Sequence, residues 1–264
     1  MRTLTLTLAY DGTDFAGWQV QPGQRTVQGE LEAALRRIGG GEGHALAAGR
    51  TDAGVHALEQ VVRLRTDSHL PAEVLQRAVN AELPADVAVL DASEANEHFH
   101  PIRDAVGKRY RYVIHDGPVR EVLRRRYCWD YRHGRLNVAA MQRAAEPLRG
   151  QADFASFQSA GAERASTVRD VRELTIDRLA APGQGRAGEG VSADSLRPED
   201  WVIMEIEADG FLYNMVRAMV GTLVEVGRGA QTEAWPGEVL AAANRRRAGP
   251  TAPPQGLFLV RVDI

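Results

Sequence analysis

Leu4, Leu6 and Leu8 alternate with Thr3, Thr5 and Thr7. A period of two with β-branched residues on the polar side predicts a half-buried strand. After the turn-rich stretch Asp11-Gly12-Thr13-Asp14, the spacing changes. Val27, Leu31, Ala34, Leu35 and Ile38 recur at helical intervals, and Gly39-Gly40-Gly41 ends that helix. Val61 to Arg65 predicts a second strand. Pro71 suits the first turn of a helix carrying Val74, Leu75, Ala78, Val79 and Leu83, and Pro84 stops it. Val87 to Leu90 predicts a third strand, and the polar stretch from Asp91 to Asp104 a connector.

The second half opens with Lys108-Arg109-Tyr110-Arg111-Tyr112-Val113-Ile114, where tyrosines alternate with cations along a strand. Asn137 is placed to cap the next helix, with Leu136 and Met141 as a hydrophobic staple. Strands are expected at Val168–Ile176 and Trp201–Ala208. They flank a Gly-, Ala-, Ser- and Pro-rich segment from Ala180 to Pro198, expected as a surface hairpin. Phe211 to Val226 has the spacing of a strong amphipathic helix, and Leu257–Val262 closes the chain as a strand. The order of elements implies an α+β fold: two β-α-β type halves, a mostly antiparallel mixed sheet with helices packed on one side, and a cleft between the halves. The expected division is 1–105 and 106–264.

Composition narrows the classes. With 264 residues, 44% hydrophobic and 25% charged, the chain is an ordinary globular one. One cysteine, Cys128, leaves no internal disulfide and no Cys-rich metal site, which fits a reducing cytoplasm. His98 and His100 are the one close histidine pair, without a matching ligand cluster, and no metal is expected. The alternating N-terminus is not a signal peptide. The most apolar stretch, Phe211 to Val226, is interrupted by Asn214, Arg217 and Glu225, so no membrane span is expected.

Charge changes the picture more. The net charge is −3, yet Arg103 to Arg149 holds twelve Lys or Arg against five Asp or Glu, a surplus of seven. Tyr110, Tyr112, Tyr127, Trp129 and Tyr131 are interleaved with these cations. Cations meet phosphates and aromatic rings stack on bases, so the stretch is a candidate RNA-binding face. A solvated surface over core aromatics has the same pattern.

Gly49-Arg50-Thr51-Asp52-Ala53-Gly54 is a loop between an apolar approach (Ala45 to Ala48) and the strand at Val61. Its glycines allow a tight turn near a ligand. Arg50 beside Asp52 favours the ionised carboxylate, a plausible nucleophile or base. On pattern alone, Asp52 is better read as the residue of an Asx-type turn.

The nine residues from Gly49 to Ala57 resemble the catalytic motif of the tRNA pseudouridine synthase A family. The resemblance runs along almost the whole chain. Tyr10 to Gln19 is similar to that family's N-terminal signature, and Thr26 to Glu32 follows at the expected distance. Phe99-His100, Lys108 to Tyr112, Asp153 to Phe157, Thr167 to Arg169, Phe211 to Arg217 and Gly256 to Val260 recur in order. The chain departs after His100. The family usually has Ala-Arg-Phe-Ser there, and this chain reads Pro101-Ile102-Arg103-Asp104, so Arg103 stands one place on from the usual cation. The Ala180–Pro198 segment is longer than usual.

The resemblance implies an enzyme that isomerises uridine to pseudouridine in the anticodon stem-loop of tRNA, at positions 38, 39 and 40. It implies a single catalytic aspartate, Asp52, and neither a cofactor nor a metal. Arg50 would pair with Asp52 and fill the space left by the flipped base. Tyr110 matches the family tyrosine that stacks on the target base. Arg217 would approach the carboxylate from the second half, since an arginine on a buried helix needs a partner. Its alternative is a position on the solvent side. The basic stretch would grip the tRNA backbone. A homodimer in the cytoplasm, without membrane, completes what the resemblance implies. Two rival readings remain, an RNA-binding module without catalysis and a small-molecule hydrolase. The hydrolase would need a second carboxylate or a metal near Asp52.

Overall fold

The alternation in the first ten residues becomes strand β1, Arg2–Tyr10, with Leu4, Leu6 and Leu8 buried and Thr5 and Thr7 half-buried. A computed structural model describes residues 1–39, 43–159, 161, 166–180 and 197–264. Its further elements are α1 (Val27–Arg37), β2 (His44–Ala47), β3 (His56–Thr66), α2 (Ala72–Glu82), β4 (Val87–Glu94), β5 (Gly107–His115), β6 (Trp129–Asp130), α3 (Val138–Ala145), β7 (Gly150–Asp153), β8 (Val168–Arg178), β9 (Trp201–Ala208), α4 (Met215–Gly227), α5 (Trp235–Ala241) and β10 (Leu257–Asp263). The class is α+β with mostly antiparallel pairing, as the pattern predicts. Two units are present. Met1–Arg109 with Phe258–Ile264 forms one, and Tyr110–Leu257 forms the other.

In the first unit the strand order is β4-β1-β3-β10, with β2 on β3. β1 pairs antiparallel with β3 from Arg2↔Thr66 to Thr7↔Val61. β10 pairs parallel with β3, Phe258 opposite His56. Thr26 caps α1 by accepting from Gly29 N–H at 3.2 Å. The apolar stripe of α1 (Val27, Leu31, Ala34, Leu35) is buried, as are Leu75 and Val79 of α2. Ile38 is a cap rather than a helical residue. Gly39 follows at φ +74°, the left-handed conformation in which glycine stops helices. The expected connector differs too. Asp91 to Glu94 continues β4, because its backbone pairs with β1 (Asp91↔Thr7, Ser93↔Thr5) while only Ala92 turns inward. An outer strand with one solvated face reads as polar.

In the second unit the order is β5-β9-β8-β7, with β6 on β5. β8 and β9 pair antiparallel from Val171↔Ala208 to Arg178↔Val202. Residues 181–196, most of the expected hairpin between them, lie outside the described residues. Asn137 caps α3 by accepting from Ala140 N–H at 3.1 Å, and Leu136 and Met141 are buried. α4 begins four residues later than its apolar spacing suggests. Asn214 takes the left-handed conformation (φ 59°), which a helix cannot continue through. Within α4 only Arg217 and Glu225 escape full burial, so the helix is enclosed rather than amphipathic. β2, β6, β7 and α5 carry too few periodic residues to be read from sequence.

Candidate active site

β2 and β3 form a hairpin, paired from His44↔Arg65 to Ala47↔Val62, and Gly49 to Val55 is its loop. Short β2 brings the chain up to Ala48, whose N–H donates to Val61 O at 2.8 Å and whose carbonyl accepts from Lys108 Nζ at 2.7 Å. Gln60 reaches back with Nε2 to Gly49 O at 2.7 Å. The loop leaves Asp52 half-buried and Arg50 exposed.

The segment from Tyr10 to Trp18 holds this loop by both edges. The Tyr10 hydroxyl meets Thr51 Oγ1 at 2.8 Å inside the core, and Gln60 Nε2 lies 3.3 Å from the same hydroxyl. Burial pushes the Tyr10 phenol up to about 12. Trp18 N–H donates to Thr51 O at 3.0 Å. Gly54 N–H donates to Phe15 O at 3.3 Å, and Val55 N–H donates to Asp52 O at 3.1 Å. An Asx turn would direct Gly54 N–H to the Asp52 side chain. It goes instead to the Phe15 carbonyl, so the turn is not of the Asx type.

Two glycines explain why the signature can approach so closely. Gly17 has φ +102°, and a Cβ there would lie 2.7 Å from Thr51 O and 3.2 Å from Ala53 N. A Cβ on Gly12 would fall 2.0 Å from Val55 O. Both positions therefore exclude any side chain. His56 closes the base of the loop. It is buried and stacked on Phe258 at 4.7 Å, with Nδ1 3.1 Å from Gly12 N and from the Asp11 carboxylate.

Asp52 and Arg50 belong to the first unit, and Tyr110 and Arg217 to the second. Among the described residues no ion pair joins Arg50 to Asp52, and the Arg50 side chain is left to solvent. In the second unit, Tyr110 is buried with its ring edge-on to Phe211 at 5.0 Å. Arg217 is half-buried. Its Nε donates to Ala252 O at 2.7 Å and its Nη1 to Asn214 Oδ1 at 2.8 Å. The chain at Ala252 returns a bond from its N–H to Arg217 O at 3.0 Å. That strap crosses α4 at glycines: a Cβ on Gly221 would lie 1.7 Å from Pro250 O, and one on Gly249 2.9 Å from Thr222 N. Burial lifts the neighbouring Tyr112 phenol well above its usual range, opposed in part by the Arg217 charge.

The basic stretch is partly neutralised by partners remote in sequence. Arg111 pairs with Glu205 at 2.5 Å, Arg135 with Asp200 at 2.6 Å and Arg143 with Glu233 at 2.6 Å. Tyr112 and Tyr131 are core residues, whereas Tyr127 is exposed beside the exposed Arg125 and Arg126. Arg120 and Arg124 line a cavity of about 360 Å³ with Arg197, His115 and Trp201. Among the described residues no group of His, Cys, Asp or Glu is arranged to hold a metal. No helix of the described residues is long and apolar enough to cross a membrane.

The sequence pattern pointed to Asp52 and Arg50 but not to what fixes them. Tyr10, Trp18, Gln60 and Lys108 hold the loop, and periodicity marked only Tyr10 and Lys108 among them, as strand positions. The family described as tRNA pseudouridine synthase matches residues 7–102 and 144–263. The chain is 45% identical over 266 residues to the tRNA pseudouridine synthase A of Moorella thermoacetica, covering 100% of both chains. It is 44% identical over 262 residues to that of Brevibacillus brevis and 40% identical over 262 residues to that of Thermoanaerobacter sp., covering 99% of each chain in both comparisons.

Proposed function

The chain belongs to the tRNA pseudouridine synthase family and isomerises uridine to pseudouridine in tRNA, and from that premise we propose that the reaction runs at Asp52 on uridines 38, 39 and 40 of the anticodon stem-loop. The observation that carries the assignment of Asp52 is its loop. The Gly49–Val55 turn is fixed by bonds from Tyr10–Trp18, Gln60, Val61 and Lys108 and by its own main-chain bond from Val55 N–H to Asp52 O. A half-buried carboxylate on so firmly held a turn keeps one position, as a reacting group must.

The reaction consumes nothing. The bond from ribose C1′ to N1 of uracil breaks, the base turns, and C5 bonds to C1′. The C5 hydrogen leaves as a proton and N1 gains one. Uracil departs as a delocalised anion, so no strong general acid is required, in contrast to glycoside hydrolysis with its two carboxylates. One ionised aspartate suffices, with no metal and no cofactor. The target base must leave its stack first, at a cost of a few kcal/mol. In this reading the Tyr110 ring receives the extruded base. Phe211 meets that ring edge-on and so fixes its plane. Arg50, exposed on a long side chain, fills the vacated space in the RNA. Arg217, oriented by Ala252 O and Asn214 Oδ1, supports the carboxylate. The enzyme works as a homodimer in the cytoplasm.

Purified protein with a tRNA transcript labelled with tritium at uridine C5 tests this reading. Asp52→Ala is expected to abolish tritium release, by at least about 10³-fold, while tRNA affinity stays within about threefold. Turnover by the variant at the normal rate would sink the assignment. Release mapped outside the anticodon arm would refute the target.

A further inference from the structure

We propose that Arg63, Arg65 and Arg103 form a phosphate-binding site on the first unit that takes the backbone of the tRNA. The site rests on tRNA being the substrate but not on Asp52 being the catalytic group. It lies outside the catalytic motif and is built mainly from β3, which precedes the basic stretch from Arg103 to Arg149.

Arg63 and Arg65 are two residues apart on β3, so their side chains leave the same face of the sheet. The segment 97–103 lies against that face and orients three guanidinium groups on three successive carbonyls. Arg65 Nη2 donates to Glu97 O at 3.5 Å, Arg103 Nη2 to His98 O at 2.9 Å and Arg63 Nη1 to Phe99 O at 3.2 Å. Each carbonyl takes one N–H and leaves the rest of the fork to another acceptor. The departure from the family pattern after His100 thus places Arg103 beside two arginines of the strand.

The charges do not balance within the protein. Arg103 has a carboxylate, with Nε 2.7 Å from Asp104 Oδ1. Glu97, the other acid of the segment, faces His98 at 3.3 Å. Neither Arg63 nor Arg65 forms an ion pair among the described residues, and Arg63 Nε is buried without an acceptor. Burial, and then the charge of Arg65, hold the Arg63 guanidinium below the usual arginine range. Opposite them on the neighbouring strands stand Thr5, Thr3 and His44, none of them acidic. Two like charges kept side by side without an acid cost stability in the free protein. A bound anion offsets that cost, and the planar guanidinium fork suits phosphate oxygens.

Position selects the ligand. Arg63 is seven residues along β3 from His56, about 23 Å at strand rise. That span exceeds the reach of the reacting nucleotide, so the phosphate belongs to another part of the same RNA.

Salt titration of binding to an unmodified full-length tRNA transcript tests the site. Each phosphate contact adds about 0.9 to the slope of log affinity against log salt. The double variant Arg63→Gln/Arg65→Gln is expected to lose about tenfold in affinity at 0.1 M potassium chloride, with a slope shallower by about two. Arg63→Lys/Arg65→Lys keeps the charges and is expected to keep most of the slope. Wild-type affinity and slope in the glutamine variant would overturn the site. So would an equal loss in the lysine variant, which would mark a defect of folding. Tritium release from the wild type is read separately. Binding without conversion would sink the catalytic reading and leave these slopes as the measure of the site.

Discussion

Gly17 carries more of the site than its size suggests. Its φ of +102° is costly for any other residue, and the atom it lacks would sit 2.7 Å from the Thr51 carbonyl, next to Asp52. Gly17→Ala is therefore expected to cost about 1–3 kcal/mol of stability and to displace the loop. Displacing the loop should lower kcat more than tRNA affinity, because a misplacement of about 1 Å costs about 10²-fold in rate. Thermal unfolding and single-turnover assays measure the two effects. An unchanged kcat would show that the loop holds its place without the close approach. The proposal of Asp52 comes from the Gly49–Ala57 motif, which is plain in the sequence. The contacts that hold it are not. They join Tyr10 to Thr51 and Gln60 to Gly49 across long sequence separations, and periodicity reports only local geometry.

At the scale of elements, local pattern was legible where one face is buried and the other wet. β1, α1 and α2 are of this kind, and their boundaries fall close to the expected ones. It was less legible where burial is all-round or absent. The outer half of β4 reads as polar, and α4 is enclosed on almost every side. α4 owes its placement to the strap at 249–252. Thr222 Oγ1 accepts from Gly249 N–H at 3.0 Å, and the two glycines let the backbones nearly touch. This strap also grips Arg217 from both its main chain and its side chain. Gly221→Ala should push the strap off the helix, since its new Cβ would overlap Pro250 O. A loss of about 1–3 kcal/mol with a fall in kcat at unchanged tRNA affinity is expected. Loss of stability with full activity would mean that Arg217 does not depend on the strap.

At the scale of the whole molecule, alkaline pH probes the buried acids. The Cys128 thiol and the Tyr10 phenol are each pushed up to about 12 by burial, and Tyr112 and Tyr131 are raised for the same reason. In the unfolded chain the thiol releases its proton near pH 9 and the phenols near pH 10. The folded chain keeps these protons longer. The stability they contribute is complete below pH 9 and is lost as pH rises toward 12. Urea midpoints from pH 8 to 11 should therefore fall from about pH 9 in the wild type, and from about pH 10 in Cys128→Ala. An identical onset in both would rule out the thiol. The charge surplus from Arg103 to Arg149 was legible as a number. How much of it remains for a partner was not, because Glu205, Asp200 and Glu233 come from distant segments.

The return of β10 to β3 has a consequence in time. Phe258 stacks on His56 at the base of the Gly49–Val55 loop, yet residues 110–257 are synthesised between the two. At about 5–20 residues per second a ribosome takes on the order of 10–30 s to cross that interval. Through it the first unit waits without its closing strand, while the second can complete itself. The first unit thus gains the ring that stacks on His56 late, after the later-made unit has had the chance to fold.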